Sequence, residues 1–153
     1  MSVVTLSPKI ELSGNDVHFD DGCFVLVKDG RPATGRVVTR AGAGTIRLIC
    51  NLYRGFAHGL WEQFYENGDL EHWCRYSHGK QEFYDEWYDT SGTLIQSDCW
   101  KAGLKHGRCK SYELGQLSAI QDFKSGMRHG LWETYGPRGV TFFSGRVIED
   151  EPD

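Results

Sequence analysis

Residues 55–70 read GFAHGLWEQFYENGDL, and residues 126–140 read GMRHGLWETYGPRGV. Two stretches between them keep the same frame: GKQEFYDEWYDTSGTL at 79–94 and GLKHGRCKSYELGQL at 103–117. The leading glycines, Gly55, Gly79, Gly103 and Gly126, are spaced 24, 24 and 23 residues apart, and Gly30 opens a weaker fifth copy 25 residues earlier. Other positions keep step. Tyr53, Tyr76, Trp100 and Phe123 precede the anchors, and Phe64, Tyr88, Tyr112 and Tyr135 follow nine residues after them. Gly59, Gly107 and Gly130 lie four residues after the anchor, with Phe83 as the exception. A second glycine (Gly68, Gly92, Gly115, Gly139) comes at 12 or 13. Self-similarity at such a period is the mark of a repeat architecture.

Runs such as LWEQFYE and LEHWCRY are short and rich in rings, and no stretch carries an apolar 3.6-residue period between helix caps. Each unit therefore predicts a β-hairpin, with Asn67-Gly68 as a favoured turn because both residues tolerate positive φ. The expected fold is all-β: an elongated, twisted antiparallel sheet of consecutive hairpins that lean on one another as repeat proteins do. The segment G-x-x-H-G is read as the link from one unit to the next. Residues 1–27, including KIELSGNDVHFDDGCFVLV, are read as capping strands, 28–145 as five repeats, and 146–153 as an acidic tail.

This geometry restrains the chemistry. With two strands per unit, equivalent atoms lie roughly 10 Å apart per repeat, whereas zinc needs nitrogens at about 2.1 Å. His58, His106 and His129 are thus expected to be turn residues rather than a metal site. Cys50, Cys74 and Cys99 precede their anchors by 5, 5 and 4 residues and are read as one unbridged column. Glu62, Glu86 and Glu133 share a position seven after the anchor, taken by Lys110 in the third unit, and read as a solvated charged stripe. The sequence holds no G-x-S-x-G, no phosphate-binding glycine loop and no H-E-x-x-H. No catalytic residue, metal or cofactor is expected.

Length (153 residues), 39% hydrophobic and 25% charged content fit one globular domain. Net charge is −4, which argues against nucleic acid or an anionic membrane as partner. No signal peptide is read at the start and no run of about 18 apolar residues occurs. Five cysteines without a CxxC pair then point to reduced thiols and a cytoplasmic location.

The units resemble MORN repeats over roughly residues 28–145. They are closest to the bacterial variant written dGkxhGxwxxYyxnGxl, while KDGRPATGRVV resembles the dGkpftGkv opening of bacterial antitoxins, the immunity proteins of polymorphic toxin systems. The resemblance implies a non-enzymatic protein that holds a cognate toxin domain, encoded by an adjacent gene, and occludes its active site. MORN arrays elsewhere imply an alternative: a scaffold or lipid-associated interaction module. Departures from the pattern are Gln81-Glu82-Phe83 in the second unit and Arg108-Cys109 in place of Leu-Trp in the third.

Large residues that do not recur in every unit are candidates for binding that partner. They are Trp61, Tyr65, Trp73, Trp87 and Trp132, with Phe142 and Phe143 also outside the recurring columns, since aromatic residues dominate interface energetics. Glu62 and Glu133 flank them, and Glu149 and Asp150 in the tail are candidates for steering a basic partner.

Overall fold

The computed structural model of the chain describes residues 11–42, 44–136 and 139–147. It is all-β, with a 3₁₀ turn at Gly14–Asp16. Among the described residues no helix is long and apolar enough to cross a membrane. The strands are β1 (Glu11–Ser13), β2 (Val17–Asp20), β3 (Cys23–Leu26), β4 (Gly35–Arg40), β5 (Ile46–Tyr53), β6 (Phe56–Phe64) and β7 (Leu70–Ser77). They continue with β8 (Lys80–Tyr88), β9 (Leu94–Lys101), β10 (Leu104–Lys105), β11 (Gly107–Glu113), β12 (Gln116–Lys124), β13 (Met127–Tyr135) and β14 (Thr141–Val147).

From β4 to β14 each strand pairs antiparallel with the next in sequence, apart from the short β10, which pairs β9 alone while β9 also pairs β11. Two features depart from a single antiparallel sheet. β1 joins the edge parallel to β4, and β2 and β3 form a separate hairpin sheet. Of the expected capping strands, β1 thus covers the edge, while the β2–β3 hairpin lies against the turn of the next unit through Phe24 N–H donating to Gly55 O at 2.7 Å. At the other end β14 runs to Val147, so it takes the first two residues read as tail. Residues 148–153, with Glu149 and Asp150, lie outside the described residues.

The two turns of each unit exchange the roles the sequence suggests. The two-residue hairpin turns are Arg54-Gly55, His78-Gly79, Ala102-Gly103 and Ser125-Gly126, in which both residues have positive φ. That conformation matches the twist of the flanking strands, and glycine takes it without a Cβ penalty. At Asn67-Gly68 only Gly68 has positive φ. Asn67 instead accepts the Asp69 N–H through Oδ1 at 3.1 Å, inside a longer loop closed by Tyr65 N–H to Asp69 O at 2.9 Å. Where the third unit is one residue short, this loop shrinks to Leu114-Gly115, again with both φ positive.

A two-residue turn leaves the N–H groups of both its central residues outside the hairpin ladder, and backbone donors need partners. The preceding unit supplies both. The glycine N–H donates to a backbone carbonyl: Gly55 to Ala33, Gly79 to Ala57, Gly103 to Gln81 and Gly126 to Lys105, at 2.7–2.9 Å. The N–H before each glycine donates to a side chain. Arg54 donates to Thr34 Oγ1 (2.9 Å), His78 to His58 Nδ1 (3.3 Å), Ala102 to Glu82 Oε1 (2.9 Å) and Ser125 to His106 Nδ1 (3.3 Å). Two of the G-x-x-H-G histidines therefore cap the following turn, His58 from within β6 and His106 from between β10 and β11. Thr34-Gly35 is the first unit's equivalent, 24 residues before His58-Gly59, so the first unit aligns one residue later than Gly30 suggests.

Gly59 and its equivalents sit in bulges. Asn51 of β5 alone faces His58, Gly59 and Leu60, and Asp122 of β12 alone faces His129, Gly130 and Leu131. Both side chains hold the bulge: Asn51 Nδ2 donates to Leu60 O at 3.0 Å, and Asp122 Oδ2 accepts the Leu131 N–H at 3.3 Å. The Arg108 guanidinium, at 2.8 Å from Asp122, holds that carboxyl below its ordinary 3.8.

Two outcomes are expected. Replacing His106 by Ala leaves the Ser125 N–H without its acceptor and lowers stability by about 1 kcal/mol, while His106→Glu, which copies Glu82, retains most of it; chemical denaturation measures both. Because the Asp122 pKa is depressed on folding, its contribution is present above about pH 4 and lost as pH falls below it. Urea midpoints between pH 5 and 2.5 should therefore fall less steeply in Asp122→Asn, a difference within about 1 kcal/mol for a half-exposed pair.

Candidate functional site

Residues directly opposite in a sheet share a face, so the register sorts the candidates. One face carries, strand by strand from β5 to β9, Cys50, Trp61, Cys74, Asp85 and Asp98. Cys109 continues the row, and Gln121, Trp132 and Gly145 complete it on β12 to β14. The opposite face carries Glu62, Trp73, Glu86, Ser97, Lys110, Ile120, Glu133 and Ser144. Trp61, Trp87 and Trp132 thus lie on one face, and Glu62, Trp73 and Glu133 on the other. Tyr65 stands at a loop, its hydroxyl donating to Tyr88 O at 2.7 Å. The candidate residues do not form one surface.

The first face is the buried one. Trp61 stands between small neighbours, Cys50 and Cys74. Trp132 lies so close over Gly145 that a methyl group added there would overlap the indole. In the two middle units Asp85 and Cys109 take the tryptophan's place, and a polar network fills the gap. Buried His72 meets Asp85 Oδ1 through Nε2 at 2.8 Å and Gln63 Oε1 through Nδ1 at 2.9 Å. Gln81 donates to Asp85 Oδ2 at 2.7 Å. Trp87 stacks on the His72 ring at 3.9 Å. Asp98, directly opposite Asp85, is held by Lys105 at 2.7 Å and by Gln96 at 2.7 Å. Sequence reasoning missed this cluster. Its signal was a carboxylate, Asp85, in a column that elsewhere holds Trp61, Cys109 and Trp132, and another, Asp98, in a column with Cys50, Cys74 and Gln121.

The cysteine column also needs correcting. Cys50 and Cys74 lie five before their anchors, and Asp98 is their equivalent. Cys99 is offset by one residue and, since side chains alternate across a strand, points to the other face. All five cysteines are free. Histidines also meet where the repeat spacing suggests separation: the rings of His58 and His78 are 4.7 Å apart, because the second occupies the turn that the first caps. Among the described residues no group of three His, Cys, Asp or Glu side chains could hold a metal ion.

On the second face Glu62, Glu86 and Glu133 are half-buried, and Glu86 and Glu133 are hydrogen-bonded rather than freely solvated. Glu86 Oε2 accepts from Trp73 Nε1 at 2.9 Å and from the Tyr88 hydroxyl at 2.6 Å, and Glu133 accepts from Tyr135. The cause is local: the recurring tyrosine two residues on points to the same face. On β8, Phe83 occupies the position that is glycine in the other four units (Gly35, Gly59, Gly107 and Gly130). It keeps φ +65° and is 63% exposed. The Arg75 guanidinium lies 6.0 Å from its ring, and Tyr84 next to it is also exposed. Comparison with family models, curated proteins and solved structures gave no match to this chain.

Desolvation pushes the thiols of Cys50 and Cys74 up to about 11 and that of Cys109 to about 12. Only the thiolate reacts. Alkylation of the native protein at pH 8, followed by mass spectrometry, should therefore label at most Cys23 and Cys99 quickly, and all five only after unfolding.

Proposed function

We propose that the protein is a non-enzymatic immunity protein that holds a cognate toxin domain, and that the docking surface centres on β7 and β8. The observation that carries this reading is Phe83. A left-handed conformation costs a residue with a side chain about 1–2 kcal/mol, and the same bulge is built from glycine in the other repeats. Within the fold the exposed ring meets the Arg75 guanidinium at 6.0 Å, a surface contact worth about 0.5–1 kcal/mol, no more than the strain it offsets. Strain retained at one position of a repeating scaffold marks a functional demand.

The surroundings suit a protein partner. Phe83, Tyr84 and Arg75 present exposed aromatic and guanidinium groups, and Trp73 lies between Glu62 and Glu86 in the cross-strand register. Aromatic residues and arginine are enriched where interfaces bury their energy, while the carboxylates favour a basic partner. The resemblance to bacterial antitoxins supplies the partner class: a toxin encoded next to this gene, its active site covered by the bound sheet.

The decisive variant is Phe83→Gly. Thermal unfolding should rise by several degrees, corresponding to about 1 kcal/mol, because the strain is released. Calorimetric affinity for the neighbouring gene's toxin domain should fall at least about tenfold. A wild-type protein that captures no such domain, or a Phe83→Gly protein that binds it undiminished, overturns the reading.

A further inference from the structure

The two ends of the sheet are finished differently. At the first edge β1 is only three residues long and passes into a 3₁₀ turn whose Ser13 and Asp16 form a reciprocal cap. At the last edge β14 is seven residues long, and among the described residues nothing pairs with its outer side. Phe142 and Phe143 are each 65% exposed, and Val140 just before the strand is exposed as well. A long, exposed apolar edge is a template for another strand.

We propose that this edge pairs with the same edge of a second copy of the chain, antiparallel about a two-fold axis through Gly145. Regular pairing to β13 covers Phe143–Val147, since the ladder shifts register between Thr141 and Phe143, and Gly145 is its midpoint. The resulting cross-copy neighbours are self-complementary. Phe143 meets Val147 of the second copy, an aromatic–β-branched pair that stabilises sheets. Gly145 meets Gly145, where the bare backbones approach closely and the two Trp132 indoles, each over its own glycine, flank the axis.

Ser144 meets Arg146 of the second copy, and the charge pattern favours this orientation. Arg146 is the one charged residue of β14; a parallel pairing would set two arginines side by side. In the antiparallel pairing Arg146 reaches over the small Ser144 toward Glu133, which is Ser144's neighbour on β13, two strand spacings or roughly 10 Å away. An isologous edge contact also closes on itself, so it yields a dimer and not a filament. Its area is small, which sets a weak, concentration-dependent association. It does not depend on the toxin reading.

Sedimentation velocity of the full chain from 5 to about 500 μM, spanning the range set by a small interface, tests the contact. Wild type should shift from monomer to dimer across the series. Phe143→Glu with Val147→Glu sets like charges at both cross-copy contacts and should stay monomeric; Phe143→Lys with Val147→Glu sets opposite charges there and should dimerise. Unchanged circular dichroism establishes that both variants fold. A wild type that is monomeric throughout, a dimeric double-glutamate variant, or a lysine–glutamate variant as monomeric as its double-glutamate counterpart overturns the proposal.

Discussion

The fold depends on what happens to two backbone N–H groups at each tight turn. A two-residue hairpin satisfies the strands on either side of it and leaves both central donors pointing outward. In this chain those donors are taken by the unit before: the glycine's by a backbone carbonyl, its neighbour's by the side chain three residues after the previous anchor. Hairpins that would be marginal alone are thereby fixed in register and spacing to one another. Side-chain packing reinforces the same link. The residue after each anchor lies against the next anchor, Phe56 on Gly79, Lys80 on Gly103 and Leu104 on Gly126, at 3.3–3.6 Å from where a Cβ would sit. The anchor glycine is thus required twice, for its φ and for the room it leaves.

That constraint explains why so much of the architecture was legible. A requirement met once per unit leaves a column in the sequence, and the anchors, the following tyrosines and the second glycines are such columns. The capping position is more permissive: any acceptor of suitable reach will do, so Thr34, His58, Glu82 and His106 look unrelated in sequence while performing one task. Turn chemistry was read less well. Asn67-Gly68 is the favoured dipeptide for a two-residue turn, but five loop residues separate its strands, and Asn67 finds its bond to Asp69 without turning left-handed.

The candidate site was less legible because face assignment depends on residue parity. A bulge in each unit changes the alternation, and one residue of slip moves a side chain to the opposite surface. Trp61 and Trp73 look alike as rings outside the common columns, yet one packs between thiols and the other bonds a carboxylate on the far face. Cys99 was misplaced by the same single-residue offset. Phe83, by contrast, was visible from the start as the missing glycine of its column. Only its dihedral angle and exposure turn that exception into a physical argument.

The buried face shows how one layer of sheet manages without a second. In the outer units a tryptophan spreads over small neighbours and excludes water along the midline. The middle units lack that ring, and removing two large apolar groups would leave either a void or wet carboxylates. Asp85 and Asp98 stand opposite each other there, and each is held by partners of its own, His72 and Gln81 for one, Lys105 and Gln96 for the other. Polar networks of this kind add little stability over an apolar filling, yet removing one partner leaves a buried polar group unsatisfied at a cost of about 1–3 kcal/mol. The network therefore fixes the pairing of β7, β8 and β9 more than it strengthens it. It holds rigid the strands from which Trp73 and the strained Phe83 project, and a ring kept in an unfavourable conformation needs such a frame to remain there.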